Sequence, residues 1–294
     1  MRRHGRGPVL PAAPDRAVNF RSNRMNDAIA GRLALGQHLA HEAGRLALAA
    51  FRNPALRVDS KGPGDVVSEA DLAIEKMVRA AVLDAYPEDG VIGEEFGGAA
   101  SADGFTWLID PVDGTVNFAR KLSYFCISIA LLKDGGPIAA WVLDPVLDEL
   151  FSADAEGNAF LNGAPMRCAS PSDFAEAVVG LGFSPRHQND LGGIIVARLF
   201  EAGAENRRLG AGALSLAHVA AGRLDAYVEP HMNAWDAVGG LYIASCAGAV
   251  IIDYVSMDGL RHGAPAYAAA PVISDQLLGL LPAPFSGSPL LRQK

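Results

Sequence analysis

Cysteine is scarce in this chain. Three stand among 294 residues, at 126, 168 and 246, odd in number, far apart and in no Cys-x-x-Cys spacing. That excludes a disulfide framework, and the expectation is buried, reduced thiols in a cytoplasmic protein. No apolar run is long enough to cross a bilayer, so a membrane-spanning role is excluded. Basic residues are outnumbered, 25 Lys and Arg against 33 Asp and Glu. The net charge of -8 argues against a general nucleic-acid surface and suits a site that draws cations to its own carboxylates. No internal repeat or low-complexity tract occurs. With half its residues apolar, the chain has enough length for one large domain or two smaller ones.

The N-terminal stretch lacks periodicity. Arg2, Arg3 and Arg6 have the look of a signal-peptide start, but Pro8, Pro11, Pro14, Asp15 and Arg16 leave no apolar core for export. Residues 1–24 are expected to be a disordered extension, a solvated tail rather than a basic arm for RNA or membrane, with Met25 as a candidate start.

What the chain does have is acid placed at the ends of apolar runs. Trp107-Leu108-Ile109 reads as a buried strand, Pro111 is expected to stop its ladder, and Asp110 and Asp113 fall at the strand's exit. Gly114 lets the backbone approach an anion, so its amide and that of Thr115 can face phosphate oxygens while the Thr115 hydroxyl orients a water. Hard oxygen ligands of this kind suit magnesium. An ordinary Asp-Pro, Asp-Gly turn accounts for the same residues. Val91-Ile92-Gly93-Glu94-Glu95 ends a second apolar run in paired acids, and Trp235-Asp236 opens a helical pattern far downstream. Taken singly, Glu94 and Glu95 read equally as solvated loop charges, and Asp236 as a carboxylate complementing its helix dipole.

Together these motifs resemble the signature of the inositol monophosphatase family of magnesium-dependent, lithium-sensitive phosphatases related to fructose bisphosphatases. Gly93-Glu94-Glu95, Trp107 through Phe118 and Trp235-Asp236 carry the likeness, in family order. Asp65 through Asp71 and Gly222 through Tyr227 are similar to the segments that precede two of them. The resemblance extends from about Asp27 to the last helix. It implies a layered α-β-α-β-α sandwich with an N-terminal α+β half over residues 25–168 and a C-terminal α/β half over 169–294, the active site between them. A homodimer is implied as well.

Local patterns agree. Asn26 or Asp27 is expected to cap a first helix that Asn53-Pro54 ends, and Ser68 a second with Ile74, Met77, Val78 and Val82 inside, ending at Tyr86-Pro87. Asp71 stands where a capping-box acid belongs. Strands are predicted at 124–132, 138–143 and 149–152, separated by Asp-Gly-Gly and Asp-Pro breaks. Beyond Pro165 the pattern alternates: strand 178–179, helices 191–200 and 213–221, strand 226–228, helix 235–247 and strand 250–252.

By resemblance, Glu94, Asp110 and the Val112 carbonyl hold an activating magnesium, and Asp110, Asp113 and Asp236 a second near the leaving oxygen. Two or three ions are implied. Thr115 with Asp71 activates water, the Gly114 and Thr115 amides bind phosphate, and Glu95 is left as an outer or third-ion residue. Glu229, otherwise a charge in the Glu229-Pro230 turn, matches the position of a glutamate on sugar hydroxyls. Gly210, Ala211 and Gly212 form the adjoining wall, Asp113 also faces substrate, and Ser184 is a weaker candidate. His231 reads as a surface or hydrogen-bonded histidine. Ala70 and Val116 depart from the threonines of many relatives, which touches the support of Asp71 and the packing under the metal loop. The implied reaction is hydrolysis of inositol 1-phosphate or a related polyol phosphate. Fructose 1,6-bisphosphate, histidinol phosphate and nucleotide 3′-phosphate are the alternative substrates, and a non-catalytic regulatory role on the same fold is the alternative class.

Overall fold

The computed structural model describes residues 16–62, 65–101, 104–171, 173–183 and 191–292. It begins with helix α1 (Arg16–Arg52), the hairpin β1 (Val58–Gly62) and β2 (Asp65–Ser68), and helix α2 (Glu69–Ala85). Next come β3 (Gly90–Gly93), β4 (Gly97–Ala99), β5 (Phe105–Asp113) and the short helix α3 (Thr115–Ala119). Strands β6 (Cys126–Lys133), β7 (Gly136–Asp144), β8 (Glu149–Ala153), β9 (Ala159–Leu161) and β10 (Ala164–Pro165) follow as a meander. They extend an eight-stranded sheet ordered β10-β9-β8-β7-β6-β5-β3-β4.

The second sheet uses β11 (Val178–Leu181), helix α4 (Leu191–Glu201), β12 (Glu205–Arg207), α5 (Gly212–Ala220), β13 (Ala226–Met232) and α6 (Ala234–Cys246). It closes with β14 (Val250–Ile252), α7 (Gly259–His262), β15 (Ala264–Ala269), α8 (Pro271–Leu280) and β16 (Leu290–Leu291). Its strand order is β12-β11-β13-β15-β14-β16. Helices α1 and α2 cover one face of the first sheet, α5 and α6 pack against both sheets, and α4 contacts β12 and α8. The layers are therefore helix, sheet, helix, sheet, helix, as the family resemblance implies.

Strand alternation explains why β5 reads as an unbroken apolar run: both of its faces are covered. Trp107 and Ile109 join the core formed with Leu39, Ala43, Ile74 and Val78 of α1 and α2. Leu108 belongs to the other core, shared with α5 and α6. Asp110 follows Leu108 by two residues and so points at the central helical layer. In the β6–β7 hairpin, Asp134 (φ 51) and Gly135 (φ +81) both take positive φ, the conformation a two-residue turn needs to match strand twist.

Several expectations are corrected. Helix α1 starts at Arg16, well before Asn26 or Asp27, because no glycine or proline interrupts residues 16–30. The rest of the expected disordered extension, residues 1–15, lies outside those described. Pro111 does not stop the ladder. Strand β5 runs through it to Asp113, with the register against β6 shifting between Asp110 and Asp113, and a bulge is a position where proline is tolerated. Strands β1, β2, β4, β9, β10, β12, β15 and β16 are not anticipated by the sequence patterns. Strand β15, Ala264–Ala269, is rich in alanine and wholly buried between β13 and β14, so tertiary pairing overrides weak propensity there. Cys126 and Cys246 are free and buried, whereas Cys168 is free and only half-buried.

Candidate active site

The bulge in β5 builds the centre of the site. In an unbroken strand Asp110 and Asp113 would face opposite sides of the sheet; the one extra residue inverts the phase and brings Asp113 to the side of Asp110. Val112 accordingly packs into the α1 and α2 core. Asp110 is 1% exposed, and its Oδ1 accepts the Val112 amide at 3.0 Å. Glu94, at the exit of β3, is brought alongside by the parallel pairing of β3 with β5 and by its amide bond to the Ile109 carbonyl at 3.2 Å. Asp236 arrives from the first turn of α6, where Asn233 completes a capping box with it. Carboxylate oxygens of Glu94, Asp110 and Asp236 all lie within 4.8 Å of one another.

That proximity has an electrostatic signature. Burial pushes the Asp110 carboxyl well above the usual carboxylate range, and Glu94, Asp236 and Asp113 push it further. A cluster of hard oxygen donors that repel one another is what a hard divalent cation neutralises, so the residues fit such an ion.

Asp113 sits beside this group but outside it. Its carboxylate accepts the amides of Gly212 at 3.2 Å, Ala213 at 2.7 Å and Leu214 at 3.4 Å, at the N-terminus of α5, and the Cys126 thiol donates to it across 3.6 Å. Burial and the neighbouring Asp236 raise it to about 7 despite those three amides. Of the Gly210, Ala211 and Gly212 wall, the Gly212 amide is thus already engaged by Asp113. Gly114 (φ +91) lies against the same wall: a Cβ there would sit 3.0 Å from Ala211 Cβ and 3.1 Å from the Tyr124 carbonyl, so only glycine fits. Asn117 ties the two loops together by donating to the Tyr124 carbonyl at 2.7 Å and the Leu209 carbonyl at 2.8 Å. The Thr115 hydroxyl donates to the Val112 carbonyl at 3.0 Å, which leaves its lone pairs as acceptors.

Asp71 forms the expected capping box on α2. Its Oδ2 accepts the Ser68 amide at 3.0 Å and the Ser68 hydroxyl. Its Oδ1 is buried with no hydrogen-bond partner among the described residues. Burial raises the group to about 6, the Ser68 bonds oppose this, and Glu95 adds to it. Helix α3, which begins at Thr115, packs against β2, whose last residue is the Ser68 cap. Arg79 Nε and Trp235 Nε1, the latter next to Asp236, are likewise buried without a partner among the described residues.

Glu229 stands on β13 with Tyr227 Oη donating to its Oε2 at 2.7 Å, and burial raises it to about 8. A Cβ on Gly212 would lie 3.4 Å from that same oxygen, so Glu229 borders the α5 wall. Ser184 lies outside the described residues. His231 is half-buried and no part of the carboxylate group. Val116 is 48% exposed and therefore does not pack under the metal loop. The Ala70 amide donates to Ser68 Oγ at 3.2 Å, so the cap that supports Asp71 is intact without a threonine there.

Sequence reasoning missed Glu75, Arg79 and Tyr227. The signal for Glu75 was present, since it falls between Ile74 and Val78 on the inner face of α2, four residues after Asp71.

Comparison with known proteins places the chain among related sequences and structures. A relative from Rhizobium meliloti named inositol-1-monophosphatase is 36% identical over 231 residues, covering 78% of this chain and 84% of the relative. One from Xylella fastidiosa named Nus factor SuhB is 36% identical over 208 residues, covering 70% and 75%. The crystal structure of the extragenic suppressor protein suhB from Bartonella henselae superposes with a TM-score of 0.79 at 28% identity, covering 86% of this chain and 99% of that one. Residues 32–281 match the profile of the inositol monophosphatase family, and the chain belongs to that family.

Proposed function

We propose that this protein is a magnesium-dependent phosphomonoesterase acting on inositol 1-phosphate or a closely related polyol phosphate. The observation that carries the reading is the convergence of Glu94, Asp110 and Asp236, with ligand oxygens all within 4.8 Å of one another. Glu94, Asp110, Asp236 and the Val112 carbonyl would hold the ions, with Asp113 contributing the lone pairs of Oδ1 that the Gly212 amide leaves over. When bound, magnesium cancels negative charge on the phosphate and on the departing oxygen.

The remaining work falls to the chain itself. Thr115, whose proton is committed to the Val112 carbonyl, accepts a hydrogen bond from the attacking water, and Asp71 Oδ1 takes up the proton that water releases. A carboxyl near 6 is well matched to that transfer at neutral pH. The leading amides of α3, those of Gly114 and Thr115 among them, hold the phosphate oxygens. Glu229, backed by Tyr227, meets the hydroxyls of the polyol. Lithium sensitivity and a homodimer belong to the same reading through the family, and free thiols suit a reducing, cytoplasmic compartment.

Phosphate release from inositol 1-phosphate, fructose 1,6-bisphosphate, histidinol phosphate and a nucleotide 3′-phosphate, with and without magnesium, tests the proposal. Magnesium-dependent release, fastest with inositol 1-phosphate, is expected. No release from any of the four would sink the catalytic reading and leave the relatives named Nus factor as the better guide to this chain.

A further inference from the structure

Helix α2 carries a polar stripe along its apolar inner face. Asp71, Glu75 and Arg79 stand four residues apart, flanked by the buried Ile74, Val78 and Val82. Glu75 is fully buried. Its Oε2 accepts the Glu95 amide at 2.7 Å, and its Oε1 accepts the Phe96 amide at 3.2 Å and Arg79 Nη2 at 2.8 Å. Arg79 also donates to the Val91 carbonyl at 3.2 Å and the Gly97 carbonyl at 2.6 Å. The hairpin of β3 and β4, whose turn carries Glu94, is therefore held along its length by two side chains of one helix. Gly93 completes the seat, because a Cβ there would overlap the Glu75 carboxylate.

Closing a short hairpin does not require a buried charge. A carboxylate inside the protein costs several kcal/mol unless hydrogen bonds and a cation compensate it. What this turn does require is resistance to repulsion, since Glu94 must stay near Asp110 and Asp236 before any cation binds. We infer that Glu75, clamped by Arg79, is a positioning residue that pins the Glu95 and Phe96 backbone so that the Glu94 carboxylate is preorganised for a divalent cation. This rests on the proposed reading of the cluster as a cation site.

Manganese binding to the metal-free protein, followed by titration calorimetry, tests it alongside the magnesium concentration for half-maximal phosphate release and the kcat at saturation. Glu75→Gln leaves one amide without its carboxylate and unbalances Arg79. It should weaken manganese binding by about tenfold or more, the scale for losing a group that supports a metal ligand. Half-activation by magnesium should shift by a similar factor, with kcat at saturating magnesium nearly unchanged. Arg79→Gln should act in the same direction and more weakly, and it carries the test if Glu75→Gln does not fold. A folded variant with a lowered melting temperature but parental manganese affinity would make the clamp purely structural and overturn the inference. Failure of the parent protein to bind manganese would remove the cation-site reading with it, which separates the two failures.

Discussion

Two aspartates at opposite faces of β5 are both buried and treated in opposite ways. Asp89 reaches the α1 and α2 side, where Arg32 grips both of its oxygens at 2.6 and 2.8 Å and Trp107 Nε1 adds a third bond at 2.8 Å. The Arg32 guanidinium is itself stacked between Tyr86 and Phe105, each ring centroid 3.9 Å away. Asp110, on the other face, has one backbone amide and three acidic neighbours. The fold is thus able to satisfy a buried carboxylate completely. Where it instead gathers Glu94, Asp110 and Asp236, the arrangement is one that the proposed cation would compensate.

Breaking each side of that contrast should give different signatures. Asp110→Asn and Asp236→Asn should each lower phosphate release by about a thousandfold or more, the equivalent of several kcal/mol of charge stabilisation. Melting of the same variants in chelator should show no loss of stability, because repulsion is relieved. Parental turnover in either would refute the ligand assignment.

On the satisfied side the effect should move from rate to stability. Arg32→Met strands Asp89 and should lower the unfolding free energy by about 3–5 kcal/mol in urea, with kcat per folded molecule unchanged. Adding Asp89→Leu should recover part of that loss; a further loss on the double substitution would mean that the pair stabilises beyond its own desolvation.

Glu229 is an intermediate case, a half-buried carboxyl with one neutral donor among the described residues. Glu229→Gln should reduce kcat/KM for inositol 1-phosphate by about 1–3 kcal/mol, the scale for leaving a hydrogen-bonding partner unsatisfied, and leave a small aryl phosphate nearly unaffected. An equal fall for both substrates would place Glu229 outside substrate recognition.

The smallest effect is a slope. Asp71, Asp113 and Glu229 are raised to about 6, 7 and 8, so the folded protein holds protons that the unfolded chain has released. Their stabilisation is complete below the unfolded values and lost as pH rises through the folded ones. His218 runs the other way, lowered to about 4 by burial, but above pH 6.5 it is neutral in both states. The metal-free melting temperature should therefore fall between pH 6.5 and 8, and magnesium should raise it most at pH 8. A flat profile would mean that these carboxyls ionise as if exposed.

Much of this was legible in the sequence where the signal is local. The Ser68 and Asp71 cap, the acids at the exits of β3 and β5, and the helix behind Trp235 each follow from adjacent residues and a periodicity. What escaped depends on partners far away. Nothing near Asp113 announces that it meets the start of α5, and nothing near Asp89 announces Arg32. The β5 bulge was hidden for another reason: a proline in a strand reads as a stop unless the register of the neighbouring strand is known.

The bonds from Asp113 to α5 span 100 residues of sequence, and Asp236 lies further along still. As the chain emerges from the ribosome, Asp110 and Asp113 are made long before the helices that complete their surroundings. A nascent chain, or a fragment released by a stalled ribosome before α6, has no assembled cluster with which to sequester cations or cleave esters. Assembly of the cluster therefore waits until nearly the whole chain has been made.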